Sequence, residues 1–182
     1  MILRFITVVS GVLAASMACY GEPATDYQRS KFGSWADADR DCLNTRHEIL
    51  LETSRQKPQF SASGCRVHSG RWLDPYTNRY LYRAEQIDID HLVPLKWAWT
   101  HGAWRWPKEK LHTFANDPIN LIGVSSSANR SKGASGPLQW LPENRRFHCQ
   151  YISRFLLTVA KYQLQLSATE ERAINALLGK HC

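Results

Sequence analysis

The chain has 182 residues and a formal net charge of +7 at pH 7, from 23 Lys+Arg against 16 Asp+Glu. Such a basic balance draws a protein toward polyanions, and no stretch beyond the N-terminal leader is apolar enough to span a bilayer. Roughly 160 residues then remain for folding, which suits one domain.

Met1 to Ala15 carries a single charge, Arg4, with apolar runs at Phe5–Val9 and Gly11–Ala15, and the small residues Ser16 and Ala18 follow. A short basic start, a short apolar run and a small-x-small end predict a signal peptide over residues 1–18 and a secreted or periplasmic product. Cys19 follows the expected cut. A second reading anchors the chain through a lipid on Cys19, although Ser16 stands where such cysteines usually have leucine. Residues 20–34 are polar and read as an extended lead-in, so the domain is expected over 35–182.

From Trp35 to Thr53 the apolar spacing of Leu43, Ile49 and Leu50 predicts a helix, broken by Pro58 and Gly64. Cys65 to Trp72 alternates weakly and runs into Asp74-Pro75-Tyr76-Thr77-Asn78, a strong turn signal. Ile87-Asp88-Ile89-Asp90 alternates strictly, which predicts a short strand with both aspartates on one face. Lys96 to His101 reads as a helix or a rigid loop, and His112 to Pro118 as a helix end and turn. Ile119 to Val124 reads as a strand. Ser125 to Asn129 opens a short helix that Gly133 to Pro137 ends. Two packing helices close the chain, one from Cys149 to Leu164 and one from the capping box Ser167–Glu170 to about Leu178, with Gly179 as its stop.

The five cysteines form no metal-binding cluster. Export makes pairing plausible, and four of them fall into two local sets, Cys42 with Cys65 and Cys149 with Cys182. Each bridge would close a loop of tens of residues and contribute roughly 3 kcal/mol. The other two pairings of these four cysteines stay open.

Three short blocks carry the chemistry: Asp90-His91 at the end of the alternating strand, Asn120 29 residues after His91, and Asn129 inside Asn129-Arg130-Ser131-Lys132-Gly133. Hydrolysis of a phosphodiester needs a base for the attacking water and a positive centre for the charge on phosphate. Histidine, with a reference pKa near 6.5, suits the first task. A divalent cation held by hard oxygen ligands suits the second. There is no Gly-x-Ser-x-Gly elbow and no His-Glu-x-x-His, which argues against a serine hydrolase and a zincin.

In order and spacing these blocks resemble the HNH nucleases. More of the chain is similar to exported HNH proteins related to the C-terminal domain of GmrSD-type restriction endonucleases. Shared blocks are Cys42-Leu43-Asn44-Thr45-Arg46, Gly70 to Thr77, Ala98-Trp99 with Gly102-Ala103-Trp104, Phe114 to Asp117, and Trp140-Leu141-Pro142. The resemblance implies an α+β fold with a ββα-metal core, a small antiparallel β-hairpin and flanking helices. It implies a metal-dependent endonuclease of low sequence specificity acting on DNA, with RNA a further possible substrate. His91 would be the general base, Asn120 a catalytic-site residue bracing the motif loop, and Asp90 and Asn129 the metal ligands. Asparagine replaces the histidine that names the class at the last position, which favours Mg²⁺, or Mn²⁺, over zinc.

Beside that core, Arg130 and Lys132 are expected to touch phosphate. Asp88 either adds charge near the ion or faces solvent. Trp97, Trp99, Trp104 and Trp106 pack the core or stack on bases, and His101, His112 and His148 read as structural. No obligate protein partner is implied. The alternative function is an exported, non-catalytic nucleic-acid-binding protein that keeps the HNH fold.

Overall fold

The computed structural model describes residues 26–182. The expected signal peptide and Cys19 lie outside the described residues. The fold is α+β, with a three-stranded antiparallel sheet, a separate two-stranded hairpin and six α-helices among the described residues.

The chain enters through a 3-10 turn, Arg29–Phe32, rather than as an extended lead-in. Phe32 is fully buried and lies with its ring 6.2 Å from Trp99 and 6.3 Å from Phe114. Helix α1 spans Thr45–Thr53, shorter than the helix expected from Trp35. The cause is local. Asp37 accepts from the Cys42 N–H and Asp41 from the Leu43 N–H, so aspartates compete with the helical bonds. Arg40 and Cys42 there have left-handed backbones. Asn44 then caps α1, accepting from the His47 N–H.

Strands β1 (Gln59–Phe60), β2 (Val67–Asp74) and β3 (Arg79–Arg83) make the larger sheet, in that order. The expected turn joins β2 to β3. Asp74 organises it, accepting from the Tyr76 N–H at 2.8 Å and the Thr77 hydroxyl at 2.7 Å. Strand β4 (Ile87–His91) pairs antiparallel with β5 (Leu121–Ser125), with Asp88 opposite Val124 and Asp90 opposite Ile122. Between them come α2 (Leu95–Thr100) and α3 (Lys108–Asn116). Asn120 is not in the strand, as expected, but in a 3-10 turn just before it, which Asp117 caps by accepting from the Ile119 N–H.

Helix α4 (Ser126–Lys132) follows β5 directly, capped by Ser125 and ended at Gly133. Alternation in β4 sends Ile87 and Ile89 into a small core with Ile49, Leu50, Val67, Trp72 and Leu121. It sends Asp88 and Asp90 toward α4. The larger core lies on the other side of the hairpin, built around Leu92, Val93, Trp97, Phe114, Tyr151 and Phe155. Trp97 and Trp99 are buried in it, and Trp104 and Trp106 pack against its edge.

Helix α5 (His148–Tyr162) buries a stripe of Ile152, Phe155, Val159 and Tyr162, with Leu156 partly buried beside it. Helix α6 (Ala168–His181) opens with the Ser167–Glu170 capping box but runs through Gly179 instead of stopping there. Glycine inside a helix costs only about 1 kcal/mol against alanine. A disulfide between Cys182 and Cys149 fastens the helix end beyond Gly179 to α5, and the second bridge joins Cys42 to Cys65.

Candidate active site

Two antiparallel strands and the helix after them form a ββα unit, and its inner face opens on a cleft of about 370 Å³. Asp90, His91, Asn129 and Arg130 all line this cleft, with Tyr27, Arg29 and Lys96 around them. Side chains as far apart along the chain as Tyr27 and Arg130 thus share one concave surface.

His91 is buried. Its Nε2 lies 2.9 Å from the Ala115 carbonyl oxygen, and its ring stacks parallel to Trp35 at 5.5 Å. A carbonyl can only accept, so Nε2 carries the proton and Nδ1 keeps a lone pair. Burial pushes the imidazole pKa down to about 3. The residue is therefore neutral far below the pH that its reference value suggests, and a weaker base than a free imidazole.

Asp90 is almost fully buried. Its carboxylate accepts from the Tyr76 hydroxyl at 2.6 Å and lies 2.9 Å from the Lys132 ammonium. Burial raises the Asp90 carboxyl above its ordinary value, while Lys132 and Tyr76 pull it back. Lys132 also donates to the His91 carbonyl oxygen at 2.8 Å. Lys132 therefore does not face solvent as a phosphate contact, which corrects the sequence expectation. A lysine one helical turn after Asn129 lies over the strand's acidic face, and an unpaired Asp90 there would be costly. Arg130 is exposed at the cleft.

The Asn129 amide is oriented by Asp88, whose Oδ2 accepts from Nδ2 at 3.0 Å. The Ser126 hydroxyl donates to the other Asp88 oxygen at 2.9 Å. Among the described residues no donor occupies Asn129 Oδ1. Asp88 is thus neither solvent-facing nor a wall of the cleft; it sets the direction of its neighbour. Asn120 is fully buried and both ends of its amide are engaged. Oδ1 accepts from the Val93 N–H at 2.8 Å, and Nδ2 donates to the Val93 carbonyl at 3.2 Å. It fastens the loop after His91, as the bracing expectation had it, and is not among the residues that line the cleft.

Sequence reasoning did not single out Tyr76, Arg29, Lys96 or the Ala115 carbonyl. Only Tyr76 left a signal, as the centre of the turn that Asp74 organises. Elsewhere, Asp37, Asp39 and Asp41 bring exposed carboxylate oxygens within 4.8 Å of one another, and none of the three lines the cleft.

Residues 36–176 match the family described as GmrSD restriction endonucleases, C-terminal domain. The chain belongs to that family. An uncharacterized secreted protein of Arthroderma benhamiae is 35% identical over 159 residues, covering 86% of this chain and 76% of that protein. No solved structure matches the chain. Membership of the GmrSD C-terminal family makes this a nuclease-related domain. The two disulfides and the secreted relative fit an extracellular setting, and no described helix is long and apolar enough to cross a membrane.

Proposed function

We propose that this GmrSD-family domain is an HNH endonuclease that hydrolyses phosphodiester bonds in DNA with one divalent cation. The observation that carries the reading is the shared cleft of Asp90, His91 and Asn129, with His91 held through Nε2 so that Nδ1 is the basic nitrogen. His91 would take the proton of the attacking water; a neutral imidazole is the form that can do so.

The donor set fits a hard cation. Asp90 offers a carboxylate and Asn129 an amide oxygen with no other described donor. Asp90 already stands against one positive charge, the Lys132 ammonium, with which a bound ion would share the carboxylate. When bound, an ion of the Mg²⁺ type would offset charge growing on the phosphate and on the leaving oxygen. Tyr76 would keep Asp90 in its rotamer and Asp88 would keep Asn129 in its own. Arg29, Lys96 and Arg130 supply cationic surroundings for a polyanionic strand. Among the described residues no element that could read base edges accompanies them at the cleft, so specificity should be low.

Plasmid nicking by the purified chain, with Mg²⁺ and with excess EDTA, tests the proposal. Cleavage that EDTA abolishes and His91→Ala removes is expected. Undiminished cutting in EDTA, or by a folded His91→Ala protein, overturns it. A gel shift without nicking in the presence of metal would select the non-catalytic nucleic-acid-binding alternative.

A further inference from the structure

The segment from Tyr27 to Trp35 precedes the stretch that matches the family, yet it forms one wall of the cleft. It crosses the site as a strap with three fastenings. Phe32 is sunk into the larger core. Asn116, at the end of α3, accepts from the Ala36 N–H at 2.8 Å and donates to the Ser34 carbonyl at 3.2 Å. Trp35 lies flat on the His91 ring. Helix α3 therefore holds both the strap and, through the Ala115 carbonyl, the imidazole.

Arg29 is what this strap delivers. It lines the main cleft together with Asp90, His91 and Asn129. It also lines a second cavity of about 210 Å³, with His91, Trp35 and Ala115. It thus stands where the two openings meet. Its charge is among those acting on the His91 imidazole, and it interacts with the Tyr27 hydroxyl. Arg29 is exposed, and among the described residues neither it nor the other cleft cations, Lys96 and Arg130, forms an ion pair with a carboxylate. Lys132, the cation that sequence alone would place on phosphate, is spent on Asp90.

We propose that Arg29 is a catalytic residue that holds the scissile phosphate in the cleft beside His91. This rests on reading the cleft as a phosphodiester-hydrolysing site. A guanidinium can offer two parallel N–H donors to two phosphate oxygens, a geometry that lysine does not reproduce. The strap fixes the backbone that carries it, so the guanidinium is kept near the place where charge develops on the phosphate.

The test uses the full chain and two substitutions, Arg29→Met, which keeps the aliphatic stem, and Arg29→Lys, with Arg172→Ala on exposed α6 as a control for net charge. Melting curves verify that each variant folds. Single-turnover cleavage of a DNA duplex should fall about 100- to 1,000-fold in Arg29→Met, partly recover in Arg29→Lys, and stay unchanged in Arg172→Ala. Mg²⁺ affinity, measured by calorimetry without DNA, should be the same in all four proteins. In the salt dependence of duplex binding, Arg29→Met should lose about one phosphate contact from the slope. Cleavage by Arg29→Met within threefold of the parent, with an unchanged salt slope, overturns the assignment while leaving the nuclease reading intact. Absence of cleavage by the parent chain overturns both.

Discussion

Lys132 and Asp90 form an ion pair at 2.9 Å, and both are buried beneath the cleft. One is the third residue after Asn129 on α4 and the other is the next-to-last residue of β4. Breaking such a pair by removing one partner is severe, because the remaining charge is stranded in a poor solvent. Lys132→Met should therefore destabilise the fold by about 3–5 kcal/mol. If Asp90 is a metal ligand, added Mg²⁺ should restore part of that loss, and the melting temperature should rise more with Mg²⁺ in Lys132→Met than in the parent. Equal shifts in the two proteins would count against Asp90 as a ligand.

His91 gives stability a pH dependence whose sign is fixed. Its folded pKa is near 3, and the unfolded chain titrates near 6.5. Between those values the unfolded state binds more protons, so this contribution is complete above about 6.5 and is lost as pH falls toward 3. Denaturant unfolding at pH 7 and pH 4.5 should show a loss of a few kcal/mol attributable to this residue. His91→Asn should show a distinctly shallower decline over that window. Parallel declines would mean that the imidazole is not buried in its neutral form.

Asn120 serves the loop rather than the reaction. Asn120→Ala leaves the Val93 N–H and C=O without their buried partners, at about 1–3 kcal/mol for an orphaned group. The expected result is a lower melting temperature together with lower activity. Asn120→Asp should not rescue either, since a carboxylate cannot donate to the Val93 carbonyl.

Asp88 acts through Asn129. Asp88→Ala should leave the melting temperature nearly unchanged and weaken Mg²⁺ affinity or cleavage about 10- to 100-fold, as loss of a ligand's hydrogen-bond partner usually does. Asp88→Asn keeps an oxygen that can accept from Asn129 and should lose less. Identical behaviour of the two variants would remove the orienting role.

The hairpin and its helix were legible because the rules that make them are local. Ile87 to Asp90 alternate on a strand buried on one face, and Ser125 and Gly133 bracket α4 with a cap and a stop. That Asp90, His91 and Asn129 share a cleft follows from this ββα geometry. Lys132 was misread because charged residues are normally exposed, and its burial depends on a carboxylate 42 residues away. The stretch before α1 was misread because apolar spacing is blind to aspartates that bond to the backbone instead. Gly179 was misread because a disulfide beyond it outweighs a weak local preference. Arg29 left no periodic signal, since its position depends on where the Phe32 ring is buried.

The bridge from Cys149 to Cys182 ends outside the matched stretch, as does the stack of Trp35 on His91. The stretch that matches the family therefore leaves out contacts that the fold uses. A fragment cut at residues 36 and 176 would free α6 at its far end and bare the imidazole to water on its stacked face. Its loss of function would say nothing about the chemistry, only that covalent and aromatic ties run across both cuts.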